Sequence, residues 1–371
     1  MPKMRLLLFS DLHLERPFRW ADPEEAEARR RNLRSTLRRI AELATSQKVD
    51  ALCCGGDLYE HEGFAPDTVP FLIDTFASIS PTPVLLAPGN HDPCVPTSIY
   101  RQASWSANVT VFDEPVLRPV ELTPSFTVWG AGHTHPAGTP DLLAGARVDR
   151  EGCNIALFHG SEQGALPFQG ADKEPHAPFR AAEITAAGFD FAMLGHFHRP
   201  QTTATFVYPG NPDPLEFGEE GRRGPALVEI SNTGTVQLET VPVAVSKVAT
   251  AAVSLSGITH LDEAQERVKE ALAGYQGTVR LTLSGEVPAD VDVTTRAFGR
   301  QVVAPHLDAL VVRLSRLEVG FDYESLAAQP TVEGRFVRDV RASDLDEDEQ
   351  RRVLVTGLRA LAGRRDLAAE A

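Results

Sequence analysis

The sequence has few cysteines and lacks both a long apolar run and an export signal. Its four cysteines, Cys53, Cys54, Cys94 and Cys153, contain no C-x-x-C pair, which argues against a zinc ribbon and against a disulfide framework. No apolar stretch approaches the ~18 residues that a transmembrane helix needs, so no membrane association is expected. The apolar run near Met1 leads into acidic and histidine residues without a cleavage pattern, which indicates a buried strand. We therefore expect a cytoplasmic protein.

Positive charge is also scarce in the chain. There are 36 lysines and arginines against 51 aspartates and glutamates, for a formal net charge of −15. Proteins that hold nucleic acid usually concentrate basic residues where they contact phosphates. One such concentration exists, RRRNLRSTLRRI at 29–40, and it could face DNA, face a second subunit or form a solvated helix face. The overall charge argues against a protein that binds DNA by itself.

The pattern of apolar residues predicts several domains. Over residues 1–245, short apolar runs alternate with amphipathic helical patterns, which predicts an α/β fold with a layered β-sandwich core flanked by helices. A second strand–helix pattern at 246–325 predicts a small α/β capping domain, with a helix at about 294–307. The segment 326–371 predicts a C-terminal helix with an apolar stripe that packs either on the chain itself or on a partner protein. The stripe consists of Val353, Leu354, Leu358 and Leu361.

Polar side chains follow the strand-like runs at nearly every predicted strand end. They are Asp11 and His13, Asp57, Asn90 with His91 and Asp92, His159, and His196 with His198. Because α/β proteins place their sites at the carboxyl ends of strands, these side chains are expected to lie close together. Oxygen and imidazole ligands in one set suit Mn²⁺, Fe²⁺ or Zn²⁺ rather than Ca²⁺ or a thiolate-bound metal. The sequence therefore predicts a metal site at one end of a sheet.

The order of these residues, D-x-H, GD, GNHD, H and GHxH, resembles the signature of the calcineurin-like metallophosphoesterase superfamily. The resemblance implies two divalent ions, with Mn²⁺ expected and Fe²⁺ or Zn²⁺ as alternatives, that clamp the attacking and leaving oxygens of an in-line displacement. The implied ligands are Asp11, His13, Asp57 and His198 for one ion and Asp57, Asn90, His159 and His196 for the other. In this arrangement, Asp57 bridges the two ions.

The resemblance also implies roles for residues beside the ligands. His91 would protonate or stabilise the leaving oxygen, and Asp92 would hold His91 oriented and protonated. The exonucleases of this superfamily often carry a second histidine three residues after the aspartate of the GD motif. This chain has Glu60 at that position. Either His61 takes over the placement of the phosphate from a shifted turn, or the exonuclease activity is altered.

The Gly-His-x-His pattern occurs twice, at 132–135 and at 195–198. In the superfamily this pair comes after the single metal-binding histidine, here His159, and only the second occurrence does so. Three interpretations are open for His133 and His135: solvent-facing loop residues, contacts to a substrate phosphate, or metal ligands.

Two further stretches are similar to the SbcD/YhaO group of DNA repair nucleases. They are FSDLHLERPF at 9–18 and VYPGNPDPLEFGEEGRRGPALVEI at 207–230. This resemblance implies Mn²⁺-dependent cleavage of DNA, as exonuclease or endonuclease, by a homodimer with an SbcC-like SMC-type ATPase that supplies DNA affinity. Two alternatives are a stand-alone small-molecule phosphodiesterase or nucleotidase and a catalytically weak structural subunit.

Overall fold

The computed structural model describes residues 3–164, 175–288, 291 and 293–361. The chain divides into two compact units, Met1–Val248 and Ala249–Ala371. No helix in the described part combines the length and the apolar character needed to span a bilayer. The prediction of an α/β fold with a layered core is confirmed.

The first unit contains two six-stranded sheets. Its strands are β1 (Lys3–Phe9), β2 (Ala51–Cys54), β3 (Val84–Leu86), β4 (Val109–Val111), β5 (Arg118–Thr123), β6 (Phe126–Gly130), β7 (Cys153–His159), β8 (Phe191–Gly195), β9 (Gln201–Thr202), β10 (Phe206–Tyr208), β11 (Ala226–Ser231) and β12 (Val236–Thr240). One sheet has the order β12-β11-β1-β2-β3-β4 and the other β5-β6-β7-β8-β10-β9. The run β1 to β4 is parallel, as are β6, β7 and β8, so the carboxyl ends of these strands share one edge of each sheet.

Strand β1 shows how the layers pack. Leu6 and Leu8 are fully buried in a cluster with strands of the second sheet, whereas Leu7 and Phe9 are buried against the helix that follows. Side chains alternate between the two faces of a strand, so a strand covered on both faces reads as a continuous apolar run. This is why the apolar run near Met1 already indicated a buried strand.

The helices of the described part of this unit are α1 (Pro23–Ser46), α2 (Thr68–Ala77), α3 (Ile99–Gln102) and α4 (Ala181–Ala186), with a short 3₁₀ helix at His61–Gly63. Asp22 caps the N-terminus of α1, and its carboxylate accepts a 2.9 Å hydrogen bond from the backbone N–H of Glu25. Such a cap satisfies one of the free N–H groups of the first turn. One face of α1 buries Leu33, Leu37 and Ile40 in the core.

Two arginines of the basic stretch on α1 form hydrogen bonds within the first unit. Arg29 is only 2% exposed and donates to the carbonyl of Pro214. Arg34 donates to the carboxylates of Glu15 and Asp67 at 2.7 and 2.6 Å. These side chains stabilise the fold, so the interpretation of this stretch as a free DNA-facing strip is wrong for both residues.

The second unit contains a three-stranded sheet in the order β13-β14-β15, in which β14 and β15 are parallel. Its elements are β13 (Val248–Ser254), α5 (Leu261–Leu272), β14 (Thr278–Pro288), a 3₁₀ helix (Thr295–Phe298), α6 (Arg300–Val303), β15 (Ala309–Gly320), α7 (Tyr323–Ala328), α8 (Val332–Arg341) and α9 (Glu347–Leu361). The predicted helix at 294–307 is broken, because Gly299 has extended backbone angles and Pro305 disfavours helix at Ala304.

Within the described residues, the predicted C-terminal helix corresponds to α9, and α7 and α8 precede it. Leu354 and Leu358 of α9 are buried against α8, so this part of the apolar stripe packs on the chain itself. Val353 and Leu361, the other members of the stripe, are 38% and 42% exposed. Packing on the chain is thus confirmed for Leu354 and Leu358, and binding of a partner protein by Val353 and Leu361 stays a prediction. The predicted residues beyond Leu361 lie outside the described part.

Candidate metal centre

The loops after five strands bring the seven predicted ligands into one cluster. Asp11 and His13 follow β1, Asp57 follows β2, Asn90 follows β3, His159 ends β7, and His196 and His198 follow β8. The cluster has two parts that share Asp57. We call Asp11, His13, Asp57 and His198 the first ligand group, and Asp57, Asn90, His159 and His196 the second ligand group.

The first ligand group is compact. Ligand atoms of Asp11, His13 and His198 lie within 4.8 Å of one another. Oδ2 of Asp57 lies 3.6 Å from Nε2 of His13. Two carboxylates and two imidazoles therefore converge on one point, as a divalent ion would require.

The second ligand group converges on His159. Its Nε2 lies 3.1 Å from Oδ1 of Asn90, 3.3 Å from Nδ1 of His196 and 3.3 Å from Oδ2 of Asp57. The same carboxylate oxygen of Asp57 thus lies near a histidine of each group. This position agrees with the bridging role that the resemblance implies.

Several of the candidate ligands have left-handed backbone conformations. Asp11, His13, Asp57 and His196 have positive φ angles of 54°, 51°, 52° and 122°. Such angles are strained for residues other than glycine and tend to occur at functional sites. Gly89 supports the arrangement, because a Cβ atom there would collide with the carboxylate of Asp57.

Two histidines of the first ligand group are each held by a carboxylate. Nδ1 of His13 lies 3.0 Å from Oε1 of Glu60, and Nδ1 of His198 lies 2.8 Å from Oε1 of Glu219. Metal-binding histidines commonly donate their second ring N–H to such an acceptor, which fixes the tautomer and the ring orientation. Nε2 of each ring is then left to bind a metal ion.

The donor set fits divalent ions. Nε2 of His13 is buried and has no hydrogen-bond partner among the described residues. Burial lowers the pKa of His13, which favours the neutral imidazole that binds metals. Burial opposes charge on His159 as well, but the Asp57 carboxylate raises its pKa to about 9. The Asp57 carboxylate thus favours positive charge at the centre, and Nε2 of His13 remains available to bind a metal ion.

Glu60 connects this centre to His91. Its Oε2 lies 2.9 Å from Nδ1 of His91, and this hydrogen bond is the main cause that raises the pKa of His91 to about 9. Burial alone would raise the pKa of Glu60, but its hydrogen bonds with His13 and His91 lower that pKa well below its ordinary value. In the sequence, Glu60 stands out only as a replacement of the second histidine that such exonucleases often carry. Its place three residues after Asp57 was the signal that it lies in the site.

Asp92 has a different task from the predicted one. Its carboxylate is fully buried, and burial together with the charge of Asp57 raises its pKa to about 6. Its four donors are the N–H groups of Asp57 (3.1 Å), Leu58 (2.6 Å) and Gly89 (2.6 Å) and the hydroxyl of Tyr100 (2.6 Å). Four donors fill the acceptor sites of a carboxylate. The prediction that Asp92 orients His91 is therefore wrong, and Asp92 instead ties together the loops that carry the ligands.

His61 does not join the cluster. Its Nε2 lies 3.3 Å from the hydroxyl of Thr97, and its ring packs near Tyr59 and Phe64, at centroid distances of 6.3 and 6.1 Å. Within the described residues, its ring contacts none of the seven ligands. The geometry thus lends no support to phosphate placement by His61.

The two histidines of the first Gly-His-x-His pattern, His133 and His135, differ in their burial. His133 is fully buried, its Nε2 donates to the carbonyl of His159 at 2.9 Å, and the hydroxyl of Thr139 donates to its Nδ1 at 2.8 Å. Burial, the largest cause, lowers the pKa of His133 to about 4. The solvent-facing interpretation is wrong for His133, but His135 is exposed.

His176 is a neighbour of the centre that the sequence interpretation missed. Its ring centroid lies 5.6 Å from that of His196 and 6.3 Å from that of His133. It does not follow a strand end, so the pattern that revealed the other residues could not reveal this one.

Comparison with known proteins agrees with this geometry. Residues 4–200 match the model of the calcineurin-like phosphoesterases. The chain is 27% identical over 241 residues to the uncharacterized metallophosphoesterase YhaO of Bacillus subtilis strain 168; the alignment covers 60% of this chain and 56% of YhaO, and so spans little more than half of that relative. Two solved structures are similar: TT1561 of Thermus thermophilus (15% identity, TM-score 0.40, 64% of this chain and 99% of that one) and GAP50, the anchor in the inner membrane complex of Plasmodium (10% identity, TM-score 0.41, 66% and 85%).

Proposed function

The chain belongs to the calcineurin-like phosphoesterase family, and from that premise we propose that it is a two-metal phosphodiesterase that cleaves DNA. The convergence of seven oxygen and nitrogen ligands on the two ligand groups carries the proposal. When bound, the metal ions, with Mn²⁺ as the first choice, would polarise the phosphate and activate the attacking water. The first ligand group would hold one ion and the second ligand group the other, with the charge of Asp57 shared between them.

His91 would act as the general acid. Its side chain is 42% exposed, so a substrate can reach it, and its raised pKa of about 9 keeps a proton on the ring at neutral pH. The carboxylate of Glu60 accepts from Nδ1, which orients the ring and leaves Nε2–H to protonate the leaving oxygen. Asp92 would contribute only through the loops that it ties together.

DNA as the substrate is supported by the two stretches at 9–18 and 207–230 that are similar to the SbcD/YhaO group. The net charge of −15 and the internal use of Arg29 and Arg34 favour a second subunit as the source of DNA affinity. The proposal therefore includes an SbcC-like SMC-type ATPase as partner, a homodimer and a cytoplasmic location.

The same charge observation favours one other function. A stand-alone phosphodiesterase or nucleotidase that acts on small molecules needs no basic surface, because its substrate carries few phosphates. It would use the same ligands and the same general acid, and the two functions differ only in substrate.

The test compares two substrates under Mn²⁺: end-labelled linear double-stranded DNA and bis-p-nitrophenyl phosphate. The purified protein is assayed alone and with an SbcC-like ATPase, beside His91→Ala and the exposed control His306→Ala. DNA cleavage that is lost in His91→Ala and kept in His306→Ala supports the nuclease. Hydrolysis of the chromogenic ester with DNA left intact in both assays favours the small-molecule enzyme, and no hydrolysis of either substrate contradicts both.

A further inference from the structure

The loop that follows β10 contacts the imidazole of His198 through the side chain of Glu219. The Glu219 side chain is 14% exposed, and its Oε1 lies 2.8 Å from Nδ1 of His198. Its other oxygen accepts from the backbone N–H of Leu215 at 2.6 Å, the backbone N–H of Glu216 at 3.1 Å and the side-chain amide of Asn211 at 2.6 Å. One carboxylate therefore holds both the loop and the ligand.

Arg223 holds the backbone on either side of this contact. Its guanidinium donates to the carbonyl of His198 at 2.8 Å and to the carbonyl of Glu219 at 2.5 Å. The ring of His198 and its backbone are thus both tied to the same loop, which leaves the imidazole little freedom to rotate.

The two ligand groups differ in the groups that contact Nδ1 of their histidines. In the first ligand group, His13 and His198 are backed by the carboxylates of Glu60 and Glu219. In the second ligand group, Nδ1 of His159 lies 2.9 Å from the neutral carbonyl of Gly55. A carboxylate behind an imidazole makes the ring a stronger donor and adds negative potential, whereas a carbonyl does so less.

We propose that Glu219 is a positioning residue that aims Nε2 of His198 and makes the first ligand group the tighter of the two metal sites. This inference rests on the two-metal centre of the proposed function, but it does not depend on DNA as the substrate. Loading is then sequential, with the first ligand group filled at low metal concentration and the second at higher concentration.

The test is calorimetric titration of the full-length, metal-free protein with Mn²⁺, which does not require activity. The wild type is expected to show two classes of site. Glu219→Gln keeps the size of the side chain but has a single acceptor oxygen, so it cannot serve both His198 and the backbone N–H groups. It is expected to weaken the tighter class by about 10- to 100-fold. Glu220→Gln, the same change at an exposed neighbour, is expected to leave both classes within about twofold.

Asn211→Ala separates positioning from a general loosening of the loop. This variant removes the side-chain hydrogen bonds of Asn211 with Glu219, the Asp213 carbonyl and Arg223, and so loosens the loop, but it leaves the contact between Glu219 and His198. It is expected to keep the tighter class within about threefold of wild type, since the carboxylate that orients the His198 ring is retained. Wild-type affinity in Glu219→Gln, or equal losses in Glu219→Gln and Asn211→Ala, would overturn the inference. Two classes of Mn²⁺ site without DNA cleavage would refute only the nuclease function.

Discussion

Residues 132–135 and 195–198 share the pattern Gly-His-x-His and follow β6 and β8, the two strands that flank β7. The second loop donates the N–H of His196 to the carboxylate of Asp11, at 3.1 Å, and so turns toward the ligands. The first loop donates the N–H of His133 to the carbonyl of Pro88, at 2.9 Å, and its imidazole supports the backbone of His159. A shared local pattern therefore does not decide function. What decides it is which partner the loop backbone finds.

The largest expected loss of activity comes from a substitution in the second Gly-His-x-His loop, at 195–198. His198→Ala removes a predicted ligand of the first ligand group and leaves Oε1 of the largely buried Glu219 carboxylate without its contact to the imidazole. Metal chemistry supplies several kcal/mol of transition-state stabilisation, so hydrolysis of bis-p-nitrophenyl phosphate should fall by roughly 10³-fold or more. The metal content of the variant, measured by mass spectrometry, should fall with it. Hydrolysis within tenfold of wild type would refute the assignment of His198.

A smaller but selective loss is expected from Glu60→Gln. The amide cannot offer two charged oxygens to His13 and His91, so the metal ligand and the general acid are both less well held. Activity should fall by about 10- to 100-fold, the range typical for such outer contacts. The exposed neighbour Glu62 offers a matched control in Glu62→Gln, which should retain the wild-type rate.

The choice of substrate sharpens the Glu60 test. p-Nitrophenol leaves without protonation, so loss of the general acid matters less for its esters than for a DNA strand. Glu60→Gln should therefore lower DNA cleavage more than hydrolysis of bis-p-nitrophenyl phosphate. Equal losses on both substrates would assign Glu60 to metal binding through His13 alone.

The sequence could predict that the seven candidate ligands lie together because each lies at or just after a strand end, and strand ends follow from local apolar patterns. Asp57 and His159 come directly after or within fully buried runs, and the parallel order of the sheets places them together. Glu60 and Glu219 could not be predicted in the same way. Glu219 lies 21 residues from His198 along the chain, and their contact depends on how the intervening loop folds.

The fold shows the same division between local and tertiary information. The core strands were predictable because they are buried on both faces, as Leu6 and Leu7 illustrate. Helix α7, at Tyr323–Ala328, was missed because it is short and buries none of its residues, so it has no apolar period to detect. Tertiary packing, rather than sequence pattern, determines such elements.

His133→Ala should affect stability more than chemistry. The change leaves a buried cavity and removes the donor to the His159 carbonyl, at a cost of about 1–3 kcal/mol in the free energy of unfolding. Urea denaturation of the metal-free protein measures this loss. Activity at saturating Mn²⁺ should stay within about tenfold, because no ligand atom is removed. A loss of metal binding as large as that of His198→Ala would mean that the first pair, too, belongs to the metal centre.

The smallest effect is expected from His135→Ala, and it tests the interpretation of the first pair that remains open. His135 is exposed, and its Nδ1 lies 3.1 Å from the neighbouring hydroxyl of Thr134. Surface changes of this kind usually alter the free energy of unfolding by less than about 0.5 kcal/mol. Steady-state kinetics on DNA should give kcat and KM within roughly twofold of wild type. A selective rise in KM with unchanged stability would instead show that His135 contacts the substrate phosphate, and the two pairs would then share one site from opposite sides of β7.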